Sequence, residues 1–253
     1  MSSLSSSAST SSKDSQTSVA LGSGSMFDAI AARYDQMNRI LSLGLDQGWR
    51  RRTAAALNLP PQARVLDVAT GTADLALVIL QTYADAHVVG VDPSANMLNV
   101  ASVKRDAKQW EQRLSLVQGD AQMLDFPRQH FDAITIAFGI RNVPDRPQAL
   151  RAMHRVLKPG GTLAVLELNE PAHSGFMASL TRFYMRQFVP RVGAWLSSSR
   201  EYRYLQTSIA AFPSPESFCT MLSDAGFAVQ RSEALGFGAC TLFVASAQPS
   251  PAS

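Results

Sequence analysis

Between Ala63 and Glu170 the chain alternates short apolar, β-branched runs with helical patterns, and this alternation restricts the fold more than any other feature. ARVLDVAT (63–70), HVVGVD (87–92), LSLVQGD (114–120), FDAITIAF (131–138) and TLAVLELNE (162–170) read as strands. Between them lie ADLALVILQTY (73–83), SANMLNVASVKRDA (94–107) and RPQALRAMHRVL (146–157), with apolar residues at helical spacing; Lys158-Pro159-Gly160-Gly161 ends the last. Strands separated by helices of this length imply βαβ units and a parallel sheet covered on both faces. Two more strands, FAVQRSEAL (227–235) and CTLFVASA (240–247), are joined by only GFGA (236–239). So short a connection permits an antiparallel hairpin and forbids a parallel crossover. The expectation is an α/β, Rossmann-like sheet of seven strands, mostly parallel, with an antiparallel hairpin at its C-terminal end.

Helical patterns flank this core. Phe27, Ile30, Ala31 and Tyr34 follow helical spacing, and a second helix is expected from Asp46 to Leu57, stopped by Pro60 and Pro61. After Pro171 a helical pattern covers 174–190, a loop follows, and PESFCTMLSDAG (215–226) returns to helix. Residues 1–25 are dominated by Ser and carry too little apolar surface to fold, so a disordered tail is expected there, with a short C-terminal tail at 248–253. The tail lacks the apolar core of a secretory signal, and no Arg precedes Arg33, which argues against an organelle transit peptide. The resulting division is one domain over 26–247, with an N-terminal helical lid at 26–58 and a helical insertion at 172–212. A net charge of +3 is too weak a bias to imply nucleic acid, and Cys219 and Cys240 form no metal or redox spacing. No metal is expected, and a reduced, cytoplasmic setting fits best. No apolar run reaches the roughly 18 residues of a spanning helix.

The strand ends carry the chemistry, because ligands of an open parallel sheet bind at its carboxyl edge. Strand one turns into its helix through ATGTADL (69–75), with Gly71 alone where a dinucleotide fold needs G-x-G-x-x-G to admit a pyrophosphate. A ligand without that pyrophosphate follows, its carboxylate favoured by the helix N-terminus. Asp67 and Asp74 are acids suited to a cationic ligand group, although Asp74 is also a common helix-start residue. Asp92 ends strand two, 21 residues after Gly71, where an acid can accept both ribose hydroxyls; helix capping is its alternative role. Asp120 ends strand three, and with the backbone of Ala121 it can receive an adenine amino group. An amino-acid tail, a ribose and an adenine in succession describe S-adenosylmethionine.

At this point the chain resembles the class I methyltransferases, and within them the ubiquinone and menaquinone biosynthesis C-methyltransferases. FDAIAARYDQMNRILSLG (27–44) with WRRR (49–52), FGIRNVPD (138–145) and EYRYLQTSI (201–209) carry the resemblance, while VLDVATGTADL (65–75) and HRVLKPGG (154–161) are shared more widely. The match runs from Met26 to about Ala247. It departs where Ala73 replaces a second glycine, Ala137 a serine and Asp46 a histidine. The resemblance implies adenosylmethionine contacts at Thr72, Asp92, Asp120 and Ala121, beside Gly71 and Asp67 in the turn. It also implies C-methylation of a polyprenylated quinol, either demethylmenaquinol or the ubiquinone precursor.

Ring methylation needs a carbon nucleophile, made by removing a phenolic proton. Arg141 and Asn142, placed at the end of strand four, are the expected catalytic pair: a permanent cation for a phenolate and an amide for a water or ring oxygen. Ion pairing of Arg141 with Asp145 or another acid is the alternative. Tyr34 is the expected substrate contact from the lid. Phe176, Leu180, Phe183, Tyr184 and Phe188 share one face with Arg182 and Arg186 opposite, suiting a prenyl tail and peripheral contact with an anionic membrane, or else packing on the sheet. Phe183 and Phe188 are the expected contacts there, and WRRR reads as a solvated helix face. A homodimer stays open. Competing readings are a methyltransferase for a sterol or another small acceptor, a nicotinamide oxidoreductase, and a non-catalytic partner in a quinone-synthesis assembly.

Overall fold

The computed structural model describes residues 28, 31–169 and 199–249. Its elements, in order, begin with a 3-10 turn (Ala31–Arg33), α1 (Tyr34–Leu41) and α2 (Leu45–Ala55). Then come β1 (Arg64–Val68), α3 (Asp74–Thr82), β2 (His87–Asp92), α4 (Ala95–Asp106), β3 (Leu114–Gln118) and β4 (Phe131–Ala137). A 3-10 turn (Ile140–Asn142), α5 (Arg146–Val156) and β5 (Leu157–Leu168) follow. The C-terminal part holds α6 (Ser199–Ala210), α7 (Pro215–Asp224), β6 (Phe227–Leu235), a 3-10 turn (Gly236–Gly238) and β7 (Cys240–Ala247). The Phe176–Phe188 face, with Phe183 and Phe188, lies outside the described residues, as does the 1–25 tail.

The seven strands form one sheet in the order β3-β2-β1-β4-β5-β7-β6. β1 to β5 pair in parallel, and β7 runs antiparallel to both β5 and β6, so the short GFGA connection does make a hairpin. Alternation along each strand explains the layering. Leu66, Ile134 and Val165 face a core with α5 and α7, through Met153, Phe218 and Leu222. Their neighbours Val65, Ala133 and Ala164 face the opposite core, with Leu57 just after α2 and Leu75 and Ile79 of α3.

Three expectations need correction. β5 begins at Leu157, not Thr162, because the Lys158–Gly161 stretch is taken into the sheet as a bulge: Phe131 pairs with Leu157, and Ala133 already pairs with Thr162. Lys158 pins the bulge to Asp132 at 2.6 Å, and Gly160 supplies the φ of +75° the bend requires. Residues 199–210 form helix α6 where a loop was expected; Ser208, Ile209 and Phe212 recur at helical spacing and are buried. WRRR does not act as one solvated face. Trp49 and Arg50 are buried, while Arg51 and Arg52 are exposed.

Candidate active site

Strand order reverses between β1 and β4, and the crevice opens there at the carboxyl edge. A cleft of about 930 Å³, counted to its open mouth, occupies that position. Gly71, Asp92, Asp120, Ala121, Tyr34 and Asn142 border it, with Met97, Ala137 and Phe138. The carboxyl ends of β3, β2, β1 and β4 follow one another across the sheet, so at about 4.8 Å per strand they span roughly 14 Å. An elongated ligand therefore meets Asp120 and Ala121 first, then Asp92, then Gly71, and last the turn after β4.

The turn after β1 is built from inside. Asp67 accepts from the Thr70 hydroxyl at 2.7 Å and from Thr135 on β4 at 2.6 Å. Burial pushes its carboxyl up to about 6, against the pull of both hydroxyls and of the Arg50 charge. Gly90 on β2 leaves the room Thr70 needs, since a Cβ there would lie 2.9 Å from its side chain. Asp67 thus holds the turn together and does not border the cleft. Gly71 itself has φ +57° and open space where a Cβ would project, which is what close approach of a ligand requires.

Asp92 is 7% exposed and borders the cleft. Its two oxygens accept from Gly71 N at 2.8 Å and Ser94 N at 2.9 Å. Each oxygen keeps a free lone-pair site, so the carboxylate is fixed yet can still accept two hydroxyls. Burial holds its carboxyl above the ordinary range, and the Asp28 charge adds to that. The capping role belongs to Ser94, whose hydroxyl accepts from Met97 N. Asp120 is exposed, and its carboxylate accepts from Gln122 N at 2.8 Å.

Two predicted residues are engaged elsewhere. The Thr72 hydroxyl donates to Asp35 of α1 at 2.6 Å and does not border the cleft. Asp74, read as an acid for a cationic ligand group, is paired with Lys104 of α4 at 2.6 Å. Lys104 also pairs with Asp35. Asp28 accepts from Ser94 Oγ and from the backbone of Asn96. These contacts fasten the N-terminal segment over the cleft, and the sequence reading found none of them beyond the lid itself.

The turn after β4 separates its charge from its amide. Asn142 borders the cleft, and its Oδ1 accepts from the Tyr204 hydroxyl of α6 at 3.2 Å. The amide nitrogen donates a long bond to the Phe138 carbonyl at 3.4 Å and keeps its second N–H for a ligand. Arg141, 8% exposed, points inward: its Nη1 donates to Glu167 Oε1 at 2.7 Å and its backbone N to Oε2 at 3.1 Å. Its Nε has no hydrogen-bond partner among the described residues. Glu167 raises the affinity of the guanidinium for its proton further, in spite of burial. The acid that holds Arg141 is therefore Glu167, and Asp145 instead caps α5 by accepting from Gln148 N. A charged residue inside the apolar strand TLAVLEL is the signal that could have pointed to a buried partner.

Comparisons with known proteins show the family and the fold. The demethylmenaquinone methyltransferase of Thermus thermophilus is 45% identical over 221 residues, covering 87% of this chain and 98% of that protein. The enzyme of the same name from Deinococcus radiodurans is 44% identical, covering 87% and 90%. The ubiquinone/menaquinone biosynthesis C-methyltransferase UbiE of Syntrophotalea carbinolica is 44% identical, covering 86% and 91%. The fold matches a SAM-dependent methyltransferase from Aquifex aeolicus at a TM-score of 0.57 and 18% identity, covering 78% and 88%. It matches the [4+2]-cyclase SpnF at 0.68 and 17% identity, covering 91% and 97%. The profile of the ubiE/COQ5 methyltransferase family fits residues 11–247, and the chain belongs to that family.

Proposed function

We propose that the chain methylates a ring carbon of a polyprenylated quinol with S-adenosylmethionine, demethylmenaquinol being the favoured acceptor. The observation that carries this reading is the run of strand ends: an acceptor at Asp92, a further acid and backbone at Asp120 and Ala121, and an amide donor at Asn142 in one cleft. The residues fit the cofactor, because the Asp92 carboxylate is fixed by two backbone N–H groups and still has acceptor sites for the ribose hydroxyls. Gly71 leaves space for the methionyl part, and Ala121 borders the adenine end. When bound, the cofactor supplies an electrophilic methyl group.

The remaining work falls to this chain. The amide nitrogen of Asn142 donates to the ring oxygen as negative charge develops on it, oriented by Tyr204. Arg141 sits behind that amide as a positioning residue, tying the turn to β5 through Glu167. Tyr34 closes the cleft from α1 and excludes water from the reacting ring. The phenolic proton leaves to a water held at the Asn142 end. Phe183, Phe188 and the arginines of the 172–198 stretch suit a prenyl tail at a membrane surface, a reading that rests on their sequence pattern.

The test is labelled methyl transfer from adenosylmethionine to demethylmenaquinol, to the ubiquinone precursor and to a sterol, side by side. Label in the quinol ring carbon is expected; protein that binds adenosylmethionine but labels neither quinol would end the proposal. Asn142→Ala should cut turnover about a hundredfold with cofactor affinity unchanged, the usual loss of one preorganised donor. Co-sedimentation with anionic vesicles tests the membrane reading, which fails if the protein stays in the supernatant.

A further inference from the structure

Arg50 is buried in α2 at 5% exposure, and its guanidinium makes no hydrogen bond to any described residue. Its nearest acid, Asp46, stands 3.7 Å from Nε, beyond hydrogen-bonding distance. Asp46 is itself occupied, accepting from the Ser42 hydroxyl at 2.9 Å and from Gln47 at 3.2 Å. A buried Nε–H with no hydrogen-bond acceptor among the described residues, and only the longer ion pair to Asp46, is costly, and such a group persists where something else completes it.

The position of Arg50 says what that is. Its guanidinium carbon lies 5.2 Å from the centre of the Phe138 ring, and Phe138 is a wall of the cleft. Phe138 holds a φ of +58°, a strained value for a bulky residue. Trp49 packs against the same ring at 6.3 Å and abuts Gly236, where a Cβ would come within 2.4 Å of the indole. α2 is thus wedged in place, and Arg50, which does not itself border the cleft, is held against Phe138, one of the cleft's walls. Its charge also bears on Asp67, at the base of the glycine turn.

We propose that Arg50 is a cofactor-recognition residue whose guanidinium, stacked on Phe138, receives the carboxylate at the methionyl end of S-adenosylmethionine. This rests on the cofactor assigned above. Asp120, Ala121 and Asp92 hold the nucleoside end, so the chain of the ligand runs past Gly71 toward Phe138. The carboxylate is the sole anionic group of that ligand, and the planar fork of a guanidinium matches it in a bidentate manner.

The experiment compares calorimetric affinities for S-adenosylhomocysteine, which carries the carboxylate, and 5′-methylthioadenosine, which shares the nucleoside and lacks it. Arg50→Gln should lose roughly ten- to a hundredfold for the first, the range of a charge-assisted hydrogen bond, and less than twofold for the second. Arg50→Lys should fall between. Equal losses for both ligands, or no loss for either, would overturn the proposal. Wild type binding neither ligand would overturn the cofactor assignment and this inference with it. If Arg50→Gln does not fold, wild type is titrated with adenosylmethionine and with its decarboxylated form. A preference for the carboxylate-bearing form below about threefold then overturns the role of Arg50.

Discussion

Glu167 and Asp67 are both acids inside apolar strands, and they act in opposite ways on stability. Glu167 is fully buried and accepts from Arg141 twice and from Leu168 N. Removing it as Glu167→Ala leaves the Arg141 charge buried without its partner, so a loss of about 3–5 kcal/mol is expected in chemical denaturation. A loss under about 1 kcal/mol would mean that Arg141 finds water instead. Asp67 carries a raised pKa of about 6 against 3.8 for the free group. The folded state therefore holds the proton more tightly, and stability is full below about pH 4 and falls as pH rises through 6. The shift corresponds to about 3 kcal/mol by pH 7. Asp67→Asn has no charge to bury, so its advantage over wild type should grow between pH 4 and 7; parallel stability curves would refute the assignment. The sequence made Asp67 look like a ligand acid because its place beside the glycine turn is visible. Thr135, the partner that occupies it, is 68 residues away and shows no sign of pairing. The place of Asp92 in the cleft was legible because it depends on a strand end alone.

At the scale of elements, helix near the N-terminus was expected from the spacing of Phe27, Ile30, Ala31 and Tyr34, of which only Tyr34 lies in α1, and what holds α1 down was not readable. Thr72 to Asp35 bridges 37 residues and Ser94 to Asp28 bridges 66, and no local pattern encodes such pairs. Together with Lys104, which pairs with both Asp35 and Asp74, they fasten α1 to the glycine turn and to the start of α4. Asp35→Asn keeps the shape while removing the charge. The Lys104 and Asp35 side chains are 25% and 30% exposed, so solvent screens the pair and a cost near 1 kcal/mol is expected. Amide exchange across residues 34–41 should then quicken about fivefold, with exchange in β4 unchanged. Raising salt should quicken the same amides in wild type and less in the variant. Exchange that does not respond to either change would place the stability of α1 in its apolar contacts, such as Ala31 on Met97. The bulge at Lys158–Gly161 was hidden for a different reason. Pro-Gly-Gly is a strong helix stop, and the same residues serve equally as an irregular strand entry once β4 fixes the register.

At the scale of the whole molecule, the strand–helix rhythm and the length of GFGA disclosed the sheet, its parallel half and its terminal hairpin. The two cores on its faces explain why that information suffices. β1, β4 and β5 each contribute alternate residues to both, so neither core can be lost while the strands stay ordered. Residues 31–169 and 199–249 should therefore unfold as one cooperative unit. Phe218 offers the cleanest probe: it is fully buried in the α5–α7 core, 4.8 Å from the Phe243 ring and 5.1 Å from that of Phe212. Phe218→Ala should cost about 3–5 kcal/mol through lost contacts and the cavity left behind. Trp49 and Trp110 lie on the opposite face, with α2 and α3. With Trp195 replaced by Phe, tryptophan emission reports that face alone, while far-ultraviolet circular dichroism reports all helices. If the sheet couples the faces, Phe218→Ala moves both transitions to lower denaturant by the same amount, and the two curves superimpose. If instead the emission midpoint stays at its wild-type value while the dichroism splits into two steps, the faces unfold separately and 26–247 is not a single domain.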